Sequence, residues 1–410
     1  MNNTLPATLA ALTMCAACAG TASQGTPDGL EAAPRVSTEG GFSVRSADGR
    51  KELVLEGLLQ TVVTVTSGER QPGSNVALKR VRPELAGSLD SLRFRLEPNF
   101  TEHEVELEEA WLGFDTLGGD ARVMLGRMKV PFNLEEVRSR RHIDFPRFSI
   151  INQFAPAEDH GLFLNAMSRS GRWEMGLAAT NGTGGSDSTS SKDVAARLMW
   201  HPFTHAPSSP WHRLQIGLAG TLGTQDEIVG GGSIDNALGQ PVLTFAEGVA
   251  LDGTRSRLGW EGAWFHGPWF VQAEAIALSQ EMSADDEPRA VSLTGAYLTV
   301  SRALTGEDKT FGGVRPDAPF DFLHGSGRGA WVLACRVSQL DMDGALAAFA
   351  EDGPGPGRVR TLSLGLNWIP NEHAVLRNAL VFSDYDQALS LDGAEEGSEL
   401  ALLIEFQLHF

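Results

Sequence analysis

From Leu400 to Phe410 every second residue is apolar: Leu400, Leu402, Ile404, Phe406, Leu408 and Phe410. Between them stand Glu405, Gln407 and His409. A period of two puts these sets on opposite faces of a strand. One face wholly apolar and the other polar fits a strand between lipid and water in a closed barrel. A soluble edge strand of this kind would have to be covered, or it would template aggregation.

The same pattern recurs along the chain. It predicts strands at about 52–66, 76–86, 91–100, 105–115, 121–129, 160–167, 171–180, 192–201, 211–222, 256–265, 268–280, 289–303, 328–341, 358–369, 372–383 and 398–410. That is sixteen segments, an even number, and most are near the ~9–11 residues that a tilted spanning strand needs. Leu92, Phe94 and Leu96 alternate with Arg93, Arg95 and Glu97; Trp331, Leu333, Cys335 and Val337 alternate with Val332, Ala334, Arg336 and Ser338. Tight turns are expected at 87–90, 117–120, 168–170, 266–268 and 370–371, and longer links at 130–159, 181–191, 223–255, 342–357 and 384–397. Long external loops alternating with short periplasmic turns are the habit of bacterial barrels. The link 304–327 is long on the short side: either that turn is elaborated, or the register slips there. The reading is an all-β fold, a transmembrane antiparallel β-barrel of about sixteen strands.

Composition agrees. No stretch of the 410 residues approaches the ~18 consecutive apolar residues of a spanning helix, and 46 glycines suit many turns. The net charge of −19 argues against nucleic acid as a partner, since a phosphate backbone needs a basic footprint. Residues 1–19 read as a signal peptide ending in Ala17-Cys18-Ala19, with lipoprotein processing at Cys18 as the alternative. Residues 20–50 read as a periplasmic lead-in and 51–410 as the barrel. Only Cys335 then remains in the mature chain, so no intrachain disulfide is expected.

The candidate chemistry is basic. Pro131 ends regular pairing after Arg127 and Lys129, and the following loop carries Arg138, Ser139, Arg140, Arg141 and Arg147. From 122 to 147 seven basic residues stand against three acidic ones, reversing the sign of the chain. Such a loop folded into a barrel lumen would focus a positive potential. Lys79, Arg80 and Arg82 form a second group and Arg93 with Arg95 a third; guanidinium forks match phosphate oxygens. The alternative role for these arginines is to balance the acidic run Glu102, Glu104, Glu106, Glu108 and Glu109.

Several stretches resemble the phosphate-selective porin O/P family of Gram-negative outer-membrane channels. They are Lys79-Arg80-Val81-Arg82-Pro83-Glu84-Leu85-Ala86-Gly87, Gly126-Arg127-Met128-Lys129-Val130-Pro131-Phe132-Asn133-Leu134-Glu135-Glu136, Leu304-Thr305-Gly306-Glu307, Gly329-Ala330-Trp331 through Arg336, and Leu364-Gly365-Leu366-Asn367-Trp368. The terminal Phe410 is similar to the closing signature of outer-membrane barrels. The resemblance implies a homotrimer of sixteen-stranded channels in outer-membrane lipid, with the third loop folded into the lumen as a constriction, and with 304–327 as a family feature. It places Lys79 and Arg80 near that constriction and Ser139, with Arg138 and Arg140, in the binding stretch of the loop. Two positions depart from the pattern: Asn99 stands where the family has an acid, and Phe145-Pro146-Arg147-Phe148-Ser149 lacks the family's Glu.

No nucleophile elbow, P-loop or His-Glu-x-x-His motif is present. The expectation is no enzyme, no cofactor and no metal, but a channel for small anions, with phosphate or polyphosphate as candidates. The alternatives are a non-selective porin, or a structural or adhesive barrel with a blocked lumen.

Overall fold

The computed structural model describes residues 34–38, 41–67, 73–101, 105–185, 191–284, 287–351, 353–391 and 394–410. The expected signal peptide, the lead-in as far as residue 33, and Glu102 and Glu104 lie outside them.

Sixteen strands form one antiparallel barrel: β1 Lys51–Thr66, β2 Gly73–Leu89, β3 Leu92–Phe100, β4 Val105–Thr116, β5 Ala121–Lys129, β6 Glu158–Met167, β7 Trp173–Thr180 and β8 Asp193–Trp200 make the first half. β9 Gln215–Ile228, β10 Ala250–His266, β11 Trp269–Ala284, β12 Glu287–Ala303, β13 Ala330–Met342, β14 Arg358–Ile369, β15 Ala374–Leu391 and β16 Ala394–His409 make the second. Each strand pairs with the next, and β16 returns to β1 from Ala401 opposite Thr66 to His409 opposite Leu58. Closure removes the edges that an open sheet of this size would expose. In the described part of the lead-in, Arg35–Ser37 and Phe42–Arg45 form two short strands, and Phe42–Arg45 extends the edge of β1 beyond the reach of β16.

The alternation dictates the two faces. Leu112, Leu125, Leu258, Leu298 and Leu364 are exposed around the outside, an apolar belt that only lipid satisfies over so many strands. The residues between them, such as Gln60, Glu261, Gln272, Glu274, Arg377 and Glu405, are buried on the inside. Trp331 and Trp368 stack at 6.0 Å, as do Trp173 and Trp200 at 5.9 Å, near strand ends. The 304–327 link is an elaborated turn, not a slip of register: β12 and β13 pair without interruption from Leu293–Met342 to Ala303–Val332. Within the link, Lys309–Thr310 and Gly313–Val314 make a small hairpin.

Two bulges shape the charged interior. Gln60 pairs with Arg80 and Thr61 with Leu78, so Lys79 is an extra residue on β2. Likewise Glu97 pairs with Glu109 and Pro98 with Leu107, leaving Glu108 extra on β4. Pro98 has no N–H to give the ladder, which is a physical reason for the break there. Each bulge presents two consecutive charged side chains to the interior in place of one. Gly126 serves a similar geometric end: its φ is +140°, and a Cβ there would clash with the Ala110 carbonyl oxygen.

Candidate anion site

The segment from Val130 to Ala157 leaves β5 as a single helical turn, Leu134–Val137, followed by two 3₁₀ turns. Asn133 gives the helical turn no side-chain cap. Instead the Glu274 carboxylate on β11 accepts the Leu134 and Glu135 N–H groups at 2.7 and 2.8 Å, supplying the acceptors that a helix start lacks. Arg336 on β13 donates to Glu135 at 2.6 Å, and Glu135 also accepts from Ser149 N and Oγ. Asp144 pairs with Lys309 at 2.6 Å and accepts from Ser301 on β12 at 2.8 Å. Asn367 on β14 donates to the Asp144 carbonyl. Arg377 on β15 reaches the carbonyls of Ile143 and Arg141, and Gln407 on β16 also donates to the latter. Arg141 itself pairs with Glu56 on β1 and Glu84 on β2. The segment is thus bonded to buried side chains on strands from both halves of the barrel.

The predicted basic residues fall into two groups. The first is neutralised. Arg82 pairs with Glu108 and lies 3.6 Å from Glu97. Arg95 is shared among Glu84, Glu97 and Glu109 at 2.7–3.3 Å. Arg93 pairs with Asp115 at 2.9 Å, Arg140 with Glu136 at 2.6 Å, and Arg141 with the two carboxylates already named. For Arg82 and Arg95 the partners include members of the acidic run, as the charge-balancing role expected.

The second group donates only to neutral oxygens. Lys79 donates to the Pro146 carbonyl, Arg80 to Gln60 Oε1 at 2.6 Å, and Lys129 to the carbonyls of Glu136 and Arg138 at 2.8 and 3.1 Å. Arg127 meets the carbonyls of Leu107 and Gly184. Arg138 donates to Gln272 at 2.7 Å and lies within 5.0 Å of the Phe270 and Phe311 ring centres. Among the described residues none of these five has a carboxylate partner within salt-bridge distance. Ser139 caps the following turn by accepting from Arg141 N at 3.3 Å.

The bulge at Lys79 brings it to the same side as Arg80. Among the charges near Lys79 are Arg80, Arg140, Arg147 and Glu405. Glu405 is itself paired with Arg377. Arg140 lies over Phe148, its Cζ 3.8 Å from the ring centre, a cation–π contact that helps to hold its guanidinium in place. Arg93, at the turn end of β3, and Arg127, bonded toward Gly184, belong to other surroundings. Asn99 acquires a reason: its Oδ1 accepts from Val81 N at 3.2 Å while its Nδ2 donates to Glu108. An ionised acid there could do only the first.

Sequence reasoning passed over three residues that organise this region. Arg336 anchors the segment through Glu135, and its signal was present in the Gly-Ala-Trp element. Arg377 has no local motif, since its partners Glu405, Ile143 and Arg141 come from distant parts of the chain. Arg147 was counted in the charge of the loop but not among the site residues.

The comparisons with known proteins agree with this architecture. The family described as phosphate-selective porin O and P matches residues 63–410. Porin O of Pseudomonas aeruginosa is 27% identical over 153 residues, a match spanning 36% of this chain and about a third (34%) of that protein. Among solved structures, the outer membrane channel DcaP of Acinetobacter baumannii superposes with a TM-score of 0.59 at 10% identity, covering 90% of this chain and 99% of that one. An anion-selective porin from Comamonas acidovorans gives 0.57 at 12%, covering 88% and 100%. OmpT of Vibrio cholerae in its trimer form gives 0.56 at 12%, covering 88% and 99%. At such identities the structures speak for the fold alone, a closed antiparallel β-barrel; the outer membrane of a Gram-negative cell follows from the family match. With the family match over most of its length, the chain belongs to the phosphate-selective porin O and P family.

Proposed function

We propose that residues 130–157 fold into the lumen, and that the barrel is a channel for passive diffusion of small anions past a basic constriction. The observation that carries this is the pair Lys79 and Arg80. Two adjacent cations reach one side of β2 through a bulge, next to Arg140 and Arg147, and bond only to neutral oxygens. Positive charge left uncompensated beside paired charges is what an anion path needs. Bonds from 130–157 to strands of both halves support its placement inside. Phosphate is the first candidate, because guanidinium and ammonium donors match its oxygens. The names of Porin O and of the anion-selective neighbour support the same class. A homotrimer is the proposed assembly, for which the trimer form of OmpT is a precedent.

A blocked barrel is the second reading, and a specific feature favours it. Phe132, Ile150 and Ile151 join Val242, Leu243, Val249, Leu346 and Phe349 in a buried apolar cluster with inward residues of β11 to β15. That cluster fills part of the interior with a dry core. Planar-bilayer recording separates the two. Anion-selective current, with chloride flux blocked by added phosphate, is expected. No current from inserted, correctly folded protein would sink the channel, and cation preference would remove the anion claim.

A further inference from the structure

The link between β12 and β13 ends in a turn, 318–327, whose tip is apolar and uncovered. Leu323 is 92% exposed, the highest of any large apolar side chain among the described residues, and Phe322 is 61% exposed. A loop tip that ends in water is ordinarily small or polar. Here the run Phe320-Asp321-Phe322-Leu323-His324 places two large apolar groups at the very end.

The turn is held against the outer wall. Phe320 N donates to the Pro370 carbonyl at 2.7 Å, and the Arg328 and Gly329 N–H groups both donate to the Ala318 carbonyl. Trp368 on β14 donates from Nε1 to the Arg328 carbonyl at 3.0 Å. Its ring centre lies 5.3 Å from that of Phe320 and 6.2 Å from that of Phe322. Trp368 continues the exposed row Leu362, Leu364 and Leu366 and stacks on Trp331, so the tip adjoins the lipid-facing surface.

A charge marks the level of the tip along that surface. Arg302 stands opposite Trp269 on β11 and Leu333 on β13, both exposed, so it leaves the barrel on the lipid side. Its guanidinium lies over the Trp269 ring, 5.0 Å from the centre. An arginine on such a face reaches for the headgroups, and tryptophans gather in the same layer. Trp331 is only two residues from Leu333, so the turn leaves the wall at headgroup level.

The backbone of the tip is prepared to leave water. The Leu323 and His324 N–H groups donate to Asp321 Oδ1 at 2.8 and 3.2 Å. The Gly325 N–H donates to the Asp321 carbonyl, and the Asp321 N–H to the Ser326 carbonyl. Donors satisfied inside the turn lose nothing when the side chains beside them enter lipid.

We propose that this turn is a membrane foot: Phe322 and Leu323 insert into the phospholipid leaflet at this end of the barrel, beside Trp331 and Trp368, while Asp321 and His324 remain in water. A second copy of the chain is the other surface that could cover the tip. Two side chains offer far less than the roughly 800 Å² per partner of a stable interface, and continuity with the lipid-facing wall favours lipid. The foot is independent of what the lumen carries.

The test is covalent footprinting of the full-length wild type in phosphatidylcholine vesicles, with adducts located by mass spectrometry. One reagent is a phospholipid bearing a diazirine on its acyl chain near the glycerol; the other is hydroxyl radical generated in the water. The lipid reagent is expected to mark Phe322 and Leu323 as it marks Leu333 and Leu366. Relative to the unfolded chain, the radical should be severalfold weaker at Leu323 than at His324 and Ser326. Radical attack on Leu323 as strong as in the unfolded chain, without lipid adducts, overturns the foot. Protection from both reagents assigns the tip to a second copy and overturns it as well. In the double variant Phe322→Ser with Leu323→Ser, which alters no strand pairing, lipid adducts within 320–325 should be lost while those at Leu333 and Leu366 stay. Their persistence would show that the apolar tip does not seat the turn, and the proposal falls.

Discussion

The ammonium of Lys79 donates to the carbonyl oxygen of Pro146, a residue 67 positions later in the chain. A one-residue slip in the β1–β2 ladder makes this contact possible, because in regular pairing Lys79 and Arg80 would point to opposite faces. The contact ties the wall to the 130–157 segment without consuming the positive charge.

Removing that charge should therefore change selectivity more than fold. Lys79→Gln and Arg80→Gln are each expected to lower the chloride-to-potassium permeability ratio about fivefold, from the ~1 kcal/mol that a unit charge exerts at ~4 Å in water. Reversal potentials in a salt gradient measure it. Arg93→Gln, paired with Asp115 at the turn end of β3, should leave the ratio unchanged. Equal effects at Arg80 and Arg93 would argue against a localised constriction.

The Arg336–Glu135 pair should matter for stability. Both side chains are nearly inaccessible, at 7% and 2% exposure, and 2.6 Å apart. Arg336→Met leaves the Glu135 charge buried with only Ser149 as a partner, an expected loss of about 3–5 kcal/mol. Denaturant titration of the refolded barrel reads it. Adding Glu135→Leu should recover most of the loss, because the stranded charge then disappears. A single variant as stable as the wild type would contradict the account.

Barrel closure should depend on the space at Gly57. The backbones of Gly57 and Phe410 exchange hydrogen bonds at 3.1 and 3.2 Å. A Cβ on Gly57 would sit 2.5 Å from the Phe410 ring. Gly57→Val is expected to cost about 1–3 kcal/mol through overpacking, seen as a lower melting point of the heat-modifiable folded band on gels. Gly57→Val with Phe410→Ala should regain part of it; a further drop would mean that the ring itself makes the seam.

One turn outside the membrane has a defined pH response. Asp321 is held below the ordinary carboxylate value of 3.8 by a hydrogen bond from His324, helped by the Leu323 N–H. A folded-state value depressed below the unfolded one means the contact favours the turn above pH ~3.8 and is lost as pH falls through the lower folded value. Carbon-13 NMR of the Asp321 carboxyl should give a midpoint under 3.8. A midpoint at or above it would show that the His324 bond does not persist in solution.

Much of this protein was legible along the chain. The sixteen segments, the closed barrel they build, and the split of Leu92, Phe94 and Leu96 from Arg93, Arg95 and Glu97 onto opposite faces all followed from alternation. A lipid-facing residue must be apolar and its neighbour need not be, so the period is written locally. Pro131 likewise marked where pairing stops. The roles of the inward charges were not legible. Arg95 and Arg80 carry the same charge and the same facing, yet one is held by three carboxylates and the other by an amide oxygen.

That difference was decided by the tertiary structure. Glu135 and Arg336 are 201 positions apart, and Arg377 meets the Arg141 carbonyl 236 positions away. Such pairs exist only once strand order, register and the two bulges are set, because a charge is neutralised by what lies within a few ångströms and not by its sequence neighbours. The sequence by itself determined a closed barrel in lipid, since periodicity and apolar belts depend on each strand alone. Which basic residues are neutralised and which, Lys79 and Arg80 among them, bond only to neutral oxygens depended on the sheet closing and bringing distant carboxylates to some and not to others.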